Sequence, residues 1–135
     1  MTEIQIGYEG KLRCTARHVD SAASLITDAP KDNMGEGQSF SPTDLVATAL
    51  GTCMLTIMGI AAQRMDIDLT GSTATVTKEM AQSPVRRIAR LAVTIRVPAK
   101  LTAEQQQKLH NAAMACPVHK SLHPDVQVPV SFQWG

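Results

Sequence analysis

The stretch Ser41–Ala62, SPTDLVATALGTCMLTIMGIAA, decides how this chain folds. Ser41 is placed to cap a helix, Pro42 suits its first turn, and Asp44 stands three residues after Ser41 as an aspartate variant of the capping box. The signals predict a helix from Pro42 to about Arg64. From Leu45 to Ala62 it carries no charge and is apolar nearly all round, so it must be buried on most sides. In a chain of 135 residues that burial calls for a second subunit, and a homodimer is expected. An uncharged run of about 18 residues also reaches the lower limit for crossing a bilayer. Thr48, Thr52, Thr56, Gly51 and Gly59 interrupt it, and its neighbours pattern as strands of a soluble domain, so no membrane span is expected.

Working towards the N-terminus, the chain enters this helix through DAPKDNMGEG, Asp28 to Gly37, a Gly/Pro/Asn/Asp loop of the length that often serves binding. Before it, Ile4–Tyr8 and Leu12–His18 alternate at period two around a turn at Glu9-Gly10 and read as a hairpin, with a third short strand at Ser24–Thr27. Alternation places Leu12, Cys14, Ala16 and His18 on one face of the second strand and Arg13, Thr15 and Arg17 on the other.

Beyond the helix, Gly71–Lys78 is rich in Thr and Val, Ala81–Pro84 makes a turn, and Leu91, Val93, Ile95 and Val97 alternate with Ala92, Thr94 and Arg96. Thr102 with Gln105 marks a second helix whose inward stripe is Leu109, Ala112, Ala113 and Cys116, ending at Pro117. Val126, Val128, Val130, Phe132 and Trp134 form a last strand, which Pro129 makes an edge or bulged strand. Strands flank two helices without βαβ alternation, so the expected class is α+β with an antiparallel sheet, as one domain over 1–135.

Composition narrows the function. With 13 Lys+Arg against 12 Asp+Glu, one Trp, one Tyr and two Phe, the chain lacks both the charge and the stacking platform of a nucleic-acid binder. Apolar residues at 44% and charged ones at 19% exclude disorder. The opening MTEIQIGYEG does not read as a secretory signal, so a reducing cytoplasm with free thiols is expected.

Three cysteines, Cys14, Cys53 and Cys116, stand far apart with no C-x-x-C spacing. Cys53 lies mid-helix in line with Val46, Ala49, Leu50 and Ile57, and Cys116 ends the stripe of the second helix, so both thiols are expected to point inward. Two readings stand: small buried hydrophobes, or a redox pair with one attacking and one resolving thiol. If a short helix runs from Pro117 to Leu122, Cys116 caps it, where free amides lower a thiol pKa, and His119 could face it. Cys53, Cys116 and His119 lack standard metal-ligand spacing, and no phosphate loop or nucleophile elbow is present.

The cysteine segments carry a resemblance. SPTDLVATALGTCMLTIMGIAA and ACPVHKSL, Ala115–Leu122, together with LITDAP and GEGQSFSP, resemble the OsmC/Ohr family of osmotically inducible and organic-hydroperoxide-resistance proteins, in its general OsmC-like branch. The resemblance implies an intertwined homodimer in which antiparallel sheets wrap two long central helices. It also implies a cysteine-based organic hydroperoxide reductase with no cofactor, in which Cys53 is peroxidatic and Cys116 resolving, recharged by an external dithiol.

It further implies an arginine from the N-terminal strands, for which Arg13 is the choice and Arg17 the alternative, and an acid near the start of the central helix. Here the chain departs from the family pattern, because the expected Glu falls on Thr43 and the acid is Asp44. Asp44 stands about 13 Å along the helix from Cys53, at about 1.5 Å per residue, so it acts across a dimer interface or is only the cap. Two rivals accompany this reading: a Cys116/His119 acyl-transfer hydrolase, and a non-enzymatic binder of small apolar ligands or redox sensor.

Overall fold

The computed structural model describes residues 1–135, which divide into two compact units, Met1–Val46 and Ala47–Gly135. Helix α1 spans Pro42–Arg64, the bounds its capping signals predict. Asp44 N donates to Ser41 Oγ at 3.1 Å and Ser41 N donates to Asp44 Oδ2 at 2.9 Å, the reciprocal pair of a capping box.

In the first unit, β1 (Ile4–Gly10), β2 (Arg13–His18) and β3 (Ser24–Asp28) form an antiparallel sheet in that order. The hairpin turn sits two residues later than the sequence suggests. Lys11 and Leu12, at φ 55° and 63°, take the left-handed conformations that tight hairpin turns need, although neither is a residue that favours them. The register Ile4↔His18, Ile6↔Ala16↔Leu25 and Tyr8↔Cys14↔Thr27 gathers these side chains on one face, and Ile4, Ile6, Tyr8 and Leu25 are exposed. The unit's buried residues are Thr27, Asp28 and Ser41.

In the second unit, β4 (Thr73–Ala81) pairs antiparallel with β5 (Arg87–Val97), and β6 (Val130–Trp134) pairs with β5 in parallel. The second sheet is therefore mixed. The chain passes from β5 to β6 through α2 (Ala103–Met114) and α3 (Pro117–Ser121), a crossover of the βαβ kind that the sequence analysis does not anticipate. Pro129 does leave β6 at the sheet edge, where a missing amide costs nothing. Thr102 and Gln105 make the expected capping box of α2.

The core of this unit joins three stripes: Leu50, Met54, Met58 and Ala62 of α1, Leu91, Val93, Ile95 and Val97 of β5, and Leu109, Ala113 and Cys116 at α2 and its end. Each large side chain here contributes about 1.5–3 kcal/mol by leaving water. Gly51 marks where α1 crosses β4, since a Cβ there would stand 3.0 Å from Val76 Cγ2. Within its own chain α1 buries only this stripe. It is long and apolar enough to cross a membrane, yet 33% of its apolar window is buried, and Thr48, Thr52, Thr56 and Ile60 are exposed.

Candidate functional site

Cys53 and Cys116 come together in the second unit. Position 53 lies on the flank of α1, next to its buried stripe, and Cys53 is half-buried rather than enclosed as the sequence suggests. Cys116 is fully buried between α2 and α3. The two thiols are neighbours, near enough for the Cys53 group to raise the pKa of Cys116. No disulfide joins them, and Cys14, in the first unit, is also free.

Cys116 is the N-cap of α3, as expected, and its Sγ accepts from the His119 backbone N–H at 3.4 Å. The expected lowering of its pKa is outweighed. Burial first, then the neighbouring Cys53 thiol, push Cys116 above the usual thiol range, while amides of His119 and Val118 pull the other way without offsetting them. His119 meets the sulfur through its main chain, not its ring. Its Nδ1 is buried without a hydrogen-bond partner, so that nitrogen does not make the imidazole–thiol hydrogen bond that acyl transfer requires.

Arg13 is held by two acids of its own unit. Its Nη2 donates to Glu36 Oε2 at 2.6 Å, and its Nε stands 3.6 Å from Oδ2 of Asp28, a carboxylate that is 1% exposed. Asp28 Oδ2 also accepts from Gln38 N at 3.0 Å, whereas Asp28 Oδ1 and Arg13 Nε have no hydrogen-bond partner. Two features build this cluster. The β2–β3 register sets Arg13 opposite Asp28. The loop then folds so tightly that a Cβ on Gly35 would meet Ala29 O at 1.8 Å, so only glycine fits immediately before Glu36.

Asp28 and Glu36 are the partners of Arg13 that sequence reasoning missed. Both belong to the loop singled out for its length and composition, but their approach to Arg13 depends on a strand register with no local signal. Arg17, the alternative arginine, is exposed on the same strand. Asp44 is engaged in capping α1.

No group of three or more His, Cys, Asp and Glu side chains is gathered closely enough to hold a metal ion. A shallow cleft of about 300 Å³ lined by Arg96, Val97, Pro98, Gln133, Trp134 and Gly135 includes no thiol.

Comparison with known proteins places the chain. No curated protein matches it. A solved structure from Psychrobacter arcticus, provisionally named an osmotic stress induced and detoxification response protein, is 48% identical. Its TM-score is 0.92, and the match covers 98% of this chain and 96% of that one. An organic hydroperoxide resistance protein OsmC from Legionella pneumophila shares the fold at 18% identity and a TM-score of 0.79, with 98% and 96% covered. An OsmC-like protein from Mycoplasma pneumoniae does so at 15% identity and a TM-score of 0.83, with 99% and 96% covered. The model of the OsmC-like protein family matches residues 35–131, the segment that holds both paired cysteines and Glu36, and the chain belongs to that family.

Proposed function

We propose that this protein is a thiol-dependent peroxidase that reduces organic hydroperoxides through Cys53 and Cys116. The observation that carries the reading is the thiol pair itself: a half-buried Cys53 neighbouring a fully buried Cys116 whose pKa it raises. The Cys53 thiolate attacks the peroxide O–O bond, and the departing alkoxide takes up a proton to leave as alcohol. The resulting sulfenic acid is attacked by Cys116, water leaves, and a disulfide forms that an external dithiol reduces. The family resemblance, rather than an observed contact, assigns Arg13 the positive charge that favours the Cys53 thiolate. Asp44 serves as a cap. Ile57, one turn along α1 from Cys53 and only partly buried, suits an alkyl chain better than hydrogen peroxide, whereas Met54 and Met58 are enclosed in the core. Names of relatives sharing this fold, organic hydroperoxide resistance among them, support the substrate class.

The working unit is a homodimer in the cytoplasm. Two exposed surfaces support the dimer. One is the Ile4, Ile6, Tyr8 and Leu25 face of the first sheet. The other is the Thr48, Thr52, Thr56 and Ile60 stripe of α1. Thr52 and Thr56 donate their hydroxyls to carbonyls one turn back, at 2.8 Å each, so the stripe presents methyl groups outward. A second copy with the same two surfaces is the occupant that buries them symmetrically.

The test is peroxide consumption with a dithiol reductant. An alkyl hydroperoxide should be consumed faster than hydrogen peroxide, Cys53→Ser should reduce the rate to background, and Cys116→Ser should allow one turnover that stops at the sulfenic acid. Undiminished steady-state activity in Cys53→Ser would refute the mechanism.

A further inference from the structure

The two thiols that meet in the second unit are not equally reachable, and this decides how the pair is recharged. We propose that the external dithiol attacks the Cys53 sulfur of the disulfide and expels Cys116, so that the transient mixed disulfide is carried by Cys53. The inference rests on the peroxidase reading for its setting, but its chemistry concerns the disulfide alone.

In this step the attacking thiolate gives an electron pair to the Cys53 sulfur, the S–S bond breaks, and its electrons pass to the Cys116 sulfur, which takes up a proton. The second thiol of the reductant then attacks its own bound sulfur and releases Cys53. The dithiol loses two electrons and becomes a disulfide, and both cysteines return to the thiol form.

Exchange requires the nucleophile to approach in line with the S–S bond, on the side of the attacked sulfur away from its partner. For Cys116 that side is closed. The residue is 0% exposed and is tied to its surroundings by Cys116 N to Ala113 O at 3.2 Å and Lys120 N to Cys116 O at 3.1 Å. The His119 amide also points at its sulfur from 3.4 Å. Cys53, on the flank of α1, is not enclosed by its own chain.

Leaving-group strength argues the other way, because the thiol of lower pKa leaves faster and Cys116 is the one raised in the reduced pair. Part of that rise comes from Cys53 itself, and a Cys53 held in a mixed disulfide can neither ionise nor accept a proton from Cys116. What then remains is burial opposed by the amides of His119 and Val118, which stay in place to receive the departing charge. Access therefore outranks leaving ability, since a sulfur that cannot be reached is not attacked at any pKa.

The test uses the intact protein, oxidised with one equivalent of cumene hydroperoxide or, separately, with diamide. It is then exposed briefly to 2-mercaptoethanol, which cannot complete the second step by cyclising. After acid quenching and alkylation, peptide mass spectrometry locates the adduct. The adduct should favour Cys53 over Cys116 by about tenfold or more, as expected when access controls the exchange. A majority on Cys116, or an even division, overturns the proposal. A disulfide that forms with diamide but not with peroxide sinks the peroxidase reading and leaves the site of attack measurable. If neither oxidant joins the two cysteines, both fail.

Discussion

The two units of this chain are stabilised by different means. The second encloses Leu50, Met54, Met58, Leu91, Val93, Ile95, Val97 and Leu109, an apolar core of ordinary kind. The first buries Thr27, Asp28 and Ser41, all polar, and leaves Ile4, Ile6 and Tyr8 at 56%, 69% and 68% exposure. A sheet whose apolar side chains face outward while a carboxylate is enclosed cannot rest on hydrophobic burial within its own unit. It holds the Arg13–Asp28–Glu36 cluster, and under the proposed homodimer its outward face is the one a second copy covers. The second unit holds the thiol pair beside its apolar core, whereas the first holds the Arg13–Asp28–Glu36 cluster and an exposed apolar face.

The sharpest way to break this contrast is to make comparable changes in both units. Leu50→Ala should lower the stability of the folded chain by about 2–5 kcal/mol, the cost of a cavity in a packed core. Ile6→Asp should leave the core of the second unit intact and act on association, turning a dimer into a monomer at micromolar concentration in sedimentation. A wild-type protein that sediments as a stable monomer, or an Ile6→Asp variant that remains dimeric, would mean that the exposed face of the first unit needs another explanation.

A somewhat smaller effect tests the charge. Under the proposed role of Arg13, Arg13→Ala should slow peroxide reduction at neutral pH by about a hundredfold, or about 2.7 kcal/mol. Identical Cys53 alkylation rates against pH in wild type, Arg13→Ala and Arg17→Ala would separate the first unit from the chemistry of the second.

The smallest expected effect concerns Cys116. Because folding raises its pKa, the folded state holds that proton more tightly than the unfolded chain does. Its contribution to stability is complete below the usual thiol pKa and is lost as pH rises towards the folded value, so the wild type should weaken in mild alkali. Cys116→Ser should flatten that dependence in denaturant titrations across the same range. An unchanged slope would show that the enclosed thiol does not feel its surroundings as the geometry requires.

What could be read in advance follows from how local each signal is. Ser41, Pro42 and Asp44 mark the start of α1, Thr102 and Gln105 the start of α2, and Pro117 the break before α3, because caps and prolines act within a single turn. The alternation of Leu91, Val93, Ile95 and Val97 identifies the inner face of β5 for the same reason. The β1–β2 turn was misplaced because Lys11 and Leu12 adopt left-handed backbone without the glycine or asparagine that announces it.

The sequence by itself therefore determined the elements, the capped central helix, and two cysteine segments distinctive enough to carry the family resemblance. Only the tertiary structure decided which elements meet. It set β6 parallel to β5, enclosed Cys116 while leaving Cys53 half open, and brought Asp28 and Glu36 to Arg13. Those outcomes depend on strand register and on packing between distant segments, where each contact is selected by the fit of the whole chain rather than by its neighbours in sequence.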